Sequence, residues 1–361
     1  MKKGVLPARR KVRVLVVDDS AFARRTITKI LERDPRIEVV GTAWDGREAI
    51  EKIAKLRPDV VTMDSNMPNM TGMEALDIIM REMPLPVIVV SSENKEIIEE
   101  TFEALEHGAV DFILKPTNLA SDKLFRIQAE LIDKVVKIAS LKGETIQRQI
   151  QTTEMHKHLA ASPLLSRPDA TVRVDCVAIG VSTGGPTALY QIIPKLPADF
   201  PAGIIIVQHM PPGFTRPLAE RMDKNSNIRV KEAEMGDEVA SGVALVAPGG
   251  YHLFLERTKS HKVVVRIDAE PAHLIHIPSI DLTFTDVAEI YRSRSLGVIL
   301  TGMGKDGVEG LQKIKNYGGG SIAEDESTCV VFGMPEVAIQ RGIIDKIAPV
   351  YEIAEIIMEM I

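Results

Sequence analysis

In the first third of the chain, short continuous apolar runs alternate with stretches in which apolar residues recur at helical spacing. The runs that predict buried strands are residues 12–17, 37–41, 58–63, 86–91 and 109–114. Buried strands that alternate with helices are typical of α/β proteins, in which helices cover both faces of a parallel sheet. The pattern therefore predicts a doubly wound, five-stranded parallel sheet at the start of the chain.

The apolar pattern changes after residue 120. Apolar residues keep to one stripe from 121 to about 141, which predicts one more helix. From 142 to 173 the chain is polar and mixed in charge, and Pro163 and Pro168 interrupt any long element. This stretch is typical of a linker.

Apolar runs resume at residue 174. The main runs, separated by a segment of short strand patterns, are residues 174–179, 202–208 and 295–300. They predict a second α/β domain with a mostly parallel sheet. The predicted boundaries are 11–140 for the first domain, 141–173 for the linker and 174–361 for the second domain.

Charged residues directly follow several strands of the first domain. Asp18 and Asp19 follow the first strand, Asp64 closes the third, and Lys115 follows the fifth. Because the carboxyl ends of parallel strands meet at one edge of a sheet, we expect these side chains to lie together. Carboxylates at one rim repel one another, and a divalent cation with oxygen ligands would relieve that repulsion. Helix capping would explain Asp18 or Asp19, but not Asp64.

These residues match a known family. Residues from about 11 to 120 resemble a response regulator receiver domain, a flavodoxin-like fold, with the phospho-accepting aspartate at Asp64. The resemblance implies that the carboxylates of Asp18, Asp19 and Asp64 bind Mg²⁺. It also implies that the backbone carbonyl of Asn66 is a further ligand of the metal.

The same resemblance identifies the residues that respond to phosphorylation. Ser91 matches the switch hydroxyl, Phe112 the aromatic switch position and Lys115 the invariant lysine. Ser91 and Lys115 would hold the oxygens of the new phosphoryl group. Thr71 stands where the family usually has an aspartate, which concerns the lifetime of the phosphorylated state rather than its chemistry.

The strands of the second domain also end in polar residues. Ser182 lies in a glycine-rich turn after the first strand, His209 follows the next strand, and Asp306 lies in a turn after the last. Singly, each has an ordinary explanation as a capping serine, a structural histidine or a turn aspartate. Together they supply the groups that nucleophilic acyl transfer requires. Their order along the chain differs from that of α/β-hydrolases, so that fold is not expected.

Five segments of this domain carry a second resemblance. They are Ile-Gly-Val-Ser182-Thr-Gly-Gly-Pro, Gln-His209-Met-Pro-Pro-Gly-Phe-Thr, Ala-Pro248-Gly-Gly-Tyr-His252, Ile-Leu-Thr-Gly-Met303-Gly-Lys-Asp306-Gly and Glu-Asp325-Glu-Ser-Thr-Cys-Val-Val-Phe-Gly-Met-Pro335. Residues from about 174 to 351 resemble the methylesterase domain of bacterial chemotaxis, the CheB family.

This resemblance implies a catalytic triad of Ser182, His209 and Asp306. It implies further that the oxyanion is held near the nucleophile by backbone amides at Thr183 and Met303. The chain departs from the family pattern at Leu274, Ile275 and Ile277, where asparagine and arginine are usual. Contacts with the receptor are therefore expected to differ there.

Composition and charge narrow the choice of partners. A net charge of −6 argues against nucleic acid as the main partner. No basic recognition helix is predicted after residue 170, which disfavours a DNA-binding response regulator. No apolar stretch is long enough to span a bilayer, and no signal-peptide core follows the basic start. We therefore expect a cytoplasmic protein without membrane insertion.

Together the resemblances imply a phosphorylation-activated serine esterase of bacterial chemotaxis. It would demethylate glutamate methyl esters and deamidate glutamines on methyl-accepting chemoreceptors, with a chemotaxis histidine kinase as phosphodonor. The resemblance implies Mg²⁺ for phosphorylation and no cofactor for ester hydrolysis. The alternative is a non-enzymatic binding module whose receiver acts only as a phosphate sink, which would hold if the departures at 274–277 abolished docking.

Overall fold

The computed structural model describes residues 10–92, 94–115, 121–139, 141 and 173–361. Its contacts divide the chain into two compact units, Met1–Ile150 and Gln151–Ile361. The linker predicted at 141–173 lies almost wholly outside the described residues, so the predicted boundaries stay a prediction. Within the described residues, no helix combines the length and the apolar character needed to cross a membrane.

The first unit is a five-stranded parallel sheet whose strands alternate with helices. Its elements are β1 (Val12–Val17), α1 (Ala21–Leu31), β2 (Ile37–Ala43), α2 (Gly46–Leu56), β3 (Val60–Asp64), α3 (Gly72–Glu82), β4 (Val87–Ser91), α4 (Lys95–Glu106), β5 (Asp111–Leu114) and α5 (Ser121–Ile138). The strand order is β2-β1-β3-β4-β5. The α/β fold predicted for this part of the chain is confirmed.

Local chemistry explains where these elements begin. Strands β3 and β4 are buried at every position, as expected for the centre of a sheet covered on both faces. Helix α3 begins with a capping box, in which the Thr71 hydroxyl accepts the N–H of Glu74 and the Glu74 carboxylate accepts the N–H of Thr71. The departure from the family at Thr71 therefore supplies a helix cap.

The second unit has a seven-stranded parallel sheet and a separate antiparallel pair of strands. Its elements are β6 (Cys176–Val181), α6 (Gly185–Ile192), β7 (Gly203–Gln208), α7 (Thr215–Lys224), β8 (Arg229–Glu232), β9 (Val243–Val246), β10 (His252–Arg257), β11 (Val263–Asp268), α8 (Ile280–Tyr291), β12 (Ser295–Ile299), α9 (Val308–Asn316), β13 (Gly320–Glu324), α10 (Met334–Gln340), β14 (Lys346–Ala348) and α11 (Val350–Met360). The strand order is β14-β13-β12-β6-β7-β9-β8, and β10 pairs with β11.

The order of the strands explains where the predicted site residues meet. In the larger sheet β6 lies between β7 and β12, so the chain changes direction there, and such reversals form ligand crevices at the carboxyl ends of strands. Ser182 follows β6, and Asp306 lies in the loop after β12. In the five-stranded sheet of the first unit, the reversal lies between β1 and β3, and Asp18, Asp19 and Asp64 are found there.

Candidate active site and phosphorylation site

The three residues predicted as a triad meet at the carboxyl ends of β6, β7 and β12. Nδ1 of His209 lies 3.2 Å from Oγ of Ser182. Nε2 of the same ring lies 2.8 Å from Oδ2 of Asp306. Because an ionised carboxylate only accepts hydrogen bonds, Nε2 carries the hydrogen, and Nδ1 is left to accept from the serine hydroxyl. The arrangement has the connectivity that proton transfer from serine to histidine requires.

Asp306 is anchored at the N-terminus of α8. Its oxygens accept the N–H groups of Ile280 at 2.8 Å and Asp281 at 3.1 Å, and the hydroxyl of Ser279 at 3.1 Å. Burial alone would raise the pKa of Asp306, but the contact with His209 and these backbone donors outweigh it and hold that pKa well below its usual range. The carboxylate is therefore ionised and fixed where it orients the imidazole.

A second histidine packs on the ring of His209. The ring of His276 stacks on it with centroids 4.1 Å apart and planes within 9°. His276 lies between Ile275 and Ile277, two of the positions at which the chain departs from the family pattern. Ile275 is 83% exposed. The departures therefore leave the stacking histidine in place and put an apolar side chain on the adjoining surface.

The two predicted oxyanion donors have backbone N–H groups that are free to donate. In the part of the chain that the structure describes, neither the N–H of Thr183 nor that of Met303 makes a hydrogen bond. The carbonyl of Gly302, in the same peptide as the Met303 N–H, accepts the N–H of Met334 at 2.9 Å. Because a trans peptide points its N–H opposite to its C=O, this contact fixes the direction of the Met303 N–H.

The turn that carries the nucleophile packs directly on the end of β12. The N–H of Ser182 donates to the carbonyl of Thr301 at 3.0 Å, and the hydroxyl of Thr301 donates to the carbonyl of Thr183 at 2.9 Å. A Cβ atom on Gly302 would lie only 2.7 Å from Cβ of Ser182. The approach of the two segments therefore requires a glycine at this position.

A buried carboxyl group supports this strand end. Glu324, the last residue of β13, is 1% exposed and accepts the N–H of Thr301 at 2.8 Å and the hydroxyl of Thr328 at 3.0 Å. Burial raises the pKa of Glu324 to about 7, although both hydrogen bonds favour its charged form. The stability of the protein near the candidate active site should therefore depend on pH.

We expect Glu324→Gln to stabilise the protein above pH 7 and to have little effect near pH 5. The pKa of Glu324 rises from 4.5 to about 7 on folding, so the unfolded chain binds fewer protons between these values. The free energy of unfolding then falls as pH rises through that window, by up to about 3 kcal/mol, and the amide removes the loss. Calorimetry of the full chain from pH 5 to 8 measures the difference in unfolding free energy between the variant and wild type. The exposed Glu326→Gln is the matched control, and a pH-independent difference would contradict the prediction.

The predicted metal carboxylates lie together in the first unit. One oxygen from each of Asp18, Asp19 and Asp64 lies within 4.8 Å of the others. Nζ of Lys115 is 2.6 Å from Oδ2 of Asp64 and 3.2 Å from Oδ2 of Asp18. Apart from this ion pair, the buried Oδ2 of Asp18 has no hydrogen-bond partner among the described residues. Clustered oxygen atoms with an unsatisfied acceptor fit a magnesium ion.

Burial disfavours the charged form of Asp64, the residue predicted to accept the phosphoryl group. Burial raises the pKa of Asp64 to about 6, although the hydrogen bond and the charge of Lys115 act in the opposite direction. A bound cation would favour the charged form of Asp64. Asn66, the fourth predicted ligand, is exposed, and its N–H lies 3.5 Å from Oδ1 of Asp64.

The predicted switch residues are buried and held by neighbouring helices. Oγ of Ser91 lies 2.7 Å from Oγ1 of Thr101 on α4. Phe112 is 4% exposed, and Nζ of Lys134 on α5 lies 5.7 Å from the centroid of its ring and donates to its carbonyl at 2.7 Å. Movement of either side chain would therefore change contacts with α4 or α5.

Several residues that surround the candidate active site were not identified from the sequence. They share one property, a polar side chain at the end of an apolar strand, and they are Gln208, Thr301 and Glu324. Buried polar side chains are retained where they satisfy or orient other polar groups. The signal that could have identified these residues is therefore the polar end of each run.

Comparison with known proteins gives two family matches. The sequence matches the CheB methylesterase family over residues 177–357 and the response regulator receiver domain over residues 14–125. A relative from Thermotoga maritima, named protein-glutamate methylesterase/protein-glutamine glutaminase, is 46% identical over 352 residues, which cover 98% of this chain and 99% of the relative. One of the same name from Archaeoglobus fulgidus is 47% identical over 350 residues, which cover 97% of this chain and 98% of that relative.

The second unit also resembles a solved structure. The crystal structure of the Thermotoga maritima CheB methylesterase catalytic domain is 50% identical to this chain, with a TM-score of 0.51. The match covers 53% of this chain and 100% of that domain.

Proposed function

Since the chain belongs to the CheB methylesterase family and carries a response regulator receiver domain, we propose that Ser182, His209 and Asp306 are its catalytic triad. The protein is a phosphorylation-regulated esterase that hydrolyses glutamate methyl esters and deamidates glutamines, and the proposed substrates are chemoreceptors. The names of its near full-length relatives support the two activities, and the receiver domain supports regulation by phosphorylation. The observation that carries the assignment of the triad is the continuous hydrogen-bond path from serine through histidine to aspartate.

In the first half of the reaction Ser182 becomes acylated. Its Oγ attacks the ester carbonyl carbon while the hydroxyl proton passes to Nδ1 of His209. Asp306, held ionised by its backbone donors, stabilises the imidazolium through Nε2. The imidazolium then gives its proton to the departing methoxy oxygen. Methanol leaves, and the glutamyl group remains as an ester on Ser182.

In the second half of the reaction, water attacks the acyl group and Ser182 is released. His209 takes a proton from the water as the hydroxyl oxygen adds to the acyl carbon, and the proton returns to Oγ of Ser182. The products are a free glutamate side chain and the original enzyme. A glutamine side chain follows the same route with ammonia as the leaving group, because the acyl intermediate is identical.

Both halves pass through a tetrahedral intermediate with a negatively charged oxygen. We assign the backbone N–H groups of Thr183 and Met303 as the donors that hold it. What supports this assignment is that both are free to donate within the described residues. One well-placed donor is worth about 3 kcal/mol of transition-state stabilisation.

Control of this reaction is proposed to act through Asp64. The carboxylates of Asp18, Asp19 and Asp64, with the carbonyl of Asn66, would bind Mg²⁺. When bound, the cation supplies positive charge that neutralises the incoming phosphoryl group. Lys115, 2.6 Å from Asp64, would then hold one of the phosphoryl oxygens.

The switch would proceed from the phosphoryl group to the buried side chains. Ser91 would exchange its contact with Thr101 for a phosphoryl oxygen, and Phe112 would move with it. The proposed donor is a chemotaxis histidine kinase, and the proposed substrates are methyl-accepting chemoreceptors.

The direct test of the proposed function measures release of methanol and of ammonia by the full chain. We expect methanol from methylated chemoreceptor membranes and ammonia from receptors with glutamine at the same positions. Both rates should rise when a small-molecule phosphodonor and Mg²⁺ are added. Absence of both products, with phosphorylation of Asp64 intact, would leave a receiver attached to a binding module.

A further inference from the structure

Gln208 is a buried polar residue at the carboxyl end of β7 that links the nucleophile to the base. It is 2% exposed, and its Nε2 donates to the carbonyl of Ser182 at 2.9 Å and to the carbonyl of His209 at 3.0 Å. Since both partners are carbonyl oxygens, chemistry fixes the orientation of the amide, because only its nitrogen can face them. One side chain therefore holds the backbones of two proposed catalytic residues.

The carbonyl of Ser182 determines where the next N–H points. The cis peptides of the described residues lie elsewhere, so the peptide between Ser182 and Thr183 is trans, with N–H and C=O in opposite directions. That carbonyl accepts from Nε2 of Gln208 and from the N–H of Gly185 at 2.8 Å. The N–H of Thr183 therefore points away from the Gln208 amide.

The neighbouring backbone donor has a different partner. The N–H of Ser182 itself donates to the carbonyl of Thr301, so it is not available to an oxyanion. The hydroxyl of Thr301 also holds the carbonyl of Thr183, which fixes the following peptide. The turn is thus held on both sides, and Thr183 contributes the first N–H after the nucleophile that is free to donate.

The fit around Gln208 indicates that its nitrogen is the important atom. Oε1 of Gln208 is buried and has no hydrogen-bond partner among the described residues. A Cβ atom on Gly185 would lie only 1.9 Å from this oxygen, so the amide packs directly against the turn at Gly185. An unsatisfied buried acceptor costs stability. The two hydrogen bonds donated by Nε2 offset this cost.

We propose that Gln208 is a positioning residue that aims the Thr183 N–H at the oxyanion of the transition state. The inference rests on the proposed function, because it assumes acyl transfer at Ser182. Without the Nε2 donor, the carbonyl of Ser182 keeps only the N–H of Gly185 as a partner, so the peptide between Ser182 and Thr183 is held less firmly and its N–H is directed less precisely. The ester is bound by other groups before reaction, so kcat falls while KM for the receptor does not change.

The first test replaces the amide with an apolar group of similar length. In the full chain, Gln208→Met should lower kcat for methanol release by about 10- to 100-fold, because one oxyanion donor is misdirected rather than removed. KM should stay within about 2-fold of the wild-type value. Gln191→Met is the matched control, because Gln191 is also buried, at 4% exposure, and lies on α6. This control should keep the wild-type kcat.

A second variant separates positioning from packing. Gln208→Glu introduces a carboxyl group of the same shape that donates a hydrogen bond only when it is protonated. The rate of Gln208→Glu divided by that of Gln208→Met should therefore rise as pH falls from 8 to about 5.5, since burial raises the pKa of an introduced carboxyl group. Because both rates are expressed per folded enzyme, a merely structural role gives a ratio that does not change with pH.

The possible outcomes are distinct. Methanol release by wild type, a low kcat in Gln208→Met and a pH-dependent ratio support the inference. Wild-type kcat in Gln208→Met, or a pH-independent ratio, overturns it and leaves the proposed triad standing. Absence of methanol release by the wild-type chain removes the proposed function, and this inference with it.

Discussion

Methanol release from methylated chemoreceptor membranes is expected to fall by about 10⁴-fold or more in Ser182→Ala. The substitution removes the Oγ atom that lies 3.2 Å from Nδ1 of His209, so no acyl intermediate can form. The N–H groups of Thr183 and Met303 are backbone atoms and remain present. A small residual rate from oriented water is therefore compatible with the proposal, whereas a rate within about 10-fold of wild type is not.

The control for this variant is another serine of the same unit. Ser260 is exposed in the turn between β10 and β11, where its hydroxyl contacts Thr258. Ser260→Ala should release methanol at the wild-type rate. Ammonia release from glutamine-containing receptor should fall in Ser182→Ala by the same factor as methanol release, because both reactions use the same nucleophile. Loss of only one activity would contradict a shared site.

The strands that position the proposed triad could be predicted because they are buried on both faces. β6 and β7 are buried at every position, and such strands appear in a sequence as continuous apolar runs. The edge strands β8 and β14 were not predicted. Two of the three residues of β14 are exposed, and β8 begins with the exposed Arg229. Strands of this kind carry no apolar run, and their pairing depends on the neighbouring strand.

The residues of the proposed triad could be named as candidates from the sequence, but the hydrogen bonds that orient them could not be predicted. Asp306 accepts the N–H of Ile280, which precedes it by 26 residues, and Gln208 reaches a carbonyl 26 residues away, that of Ser182. Such contacts depend on how α8 and β7 approach the loop after β12 and the turn after β6. Neither a local pattern nor a single-residue preference carries that information.

The same argument applies to the roles of the two ring nitrogens. The sequence indicates that His209 lies between a serine and an aspartate, but not which nitrogen faces which partner. In the structure Nε2 faces Asp306, because the N-terminus of α8 places the carboxylate on that side. The tautomer is therefore a consequence of tertiary packing rather than of the motif.

Stimulation by a phosphodonor is expected to be lost completely in Asp64→Asn, while the basal rate of methanol release stays within about 2-fold of wild type. The amide has no carboxylate oxygen to attack phosphorus, so the phosphorylated form cannot arise by this route. Asp64 lies in a different compact unit from Ser182 and is not one of the groups proposed to react with the ester, so we expect the basal rate to be kept. Asp77→Asn, at an exposed position on α3, is the matched control and should keep full stimulation.

A second signature of Asp64→Asn follows from electrostatics. The pKa of Asp64 is raised to about 6 from an ordinary 3.8. As pH rises, the unfolded chain therefore releases this proton at a lower pH than the folded chain does. The free energy of unfolding therefore falls as pH rises through that window in the absence of a cation. The amide removes this loss, so the first unit of Asp64→Asn should melt at a higher temperature than wild type at pH 7.5 without Mg²⁺.

Added Mg²⁺ should stabilise wild type more than the variant, because it offsets repulsion between carboxylates. Equal stabilisation of both would remove Asp64 from the metal site, and stimulation that persisted in Asp64→Asn would move the phosphorylation site to another residue.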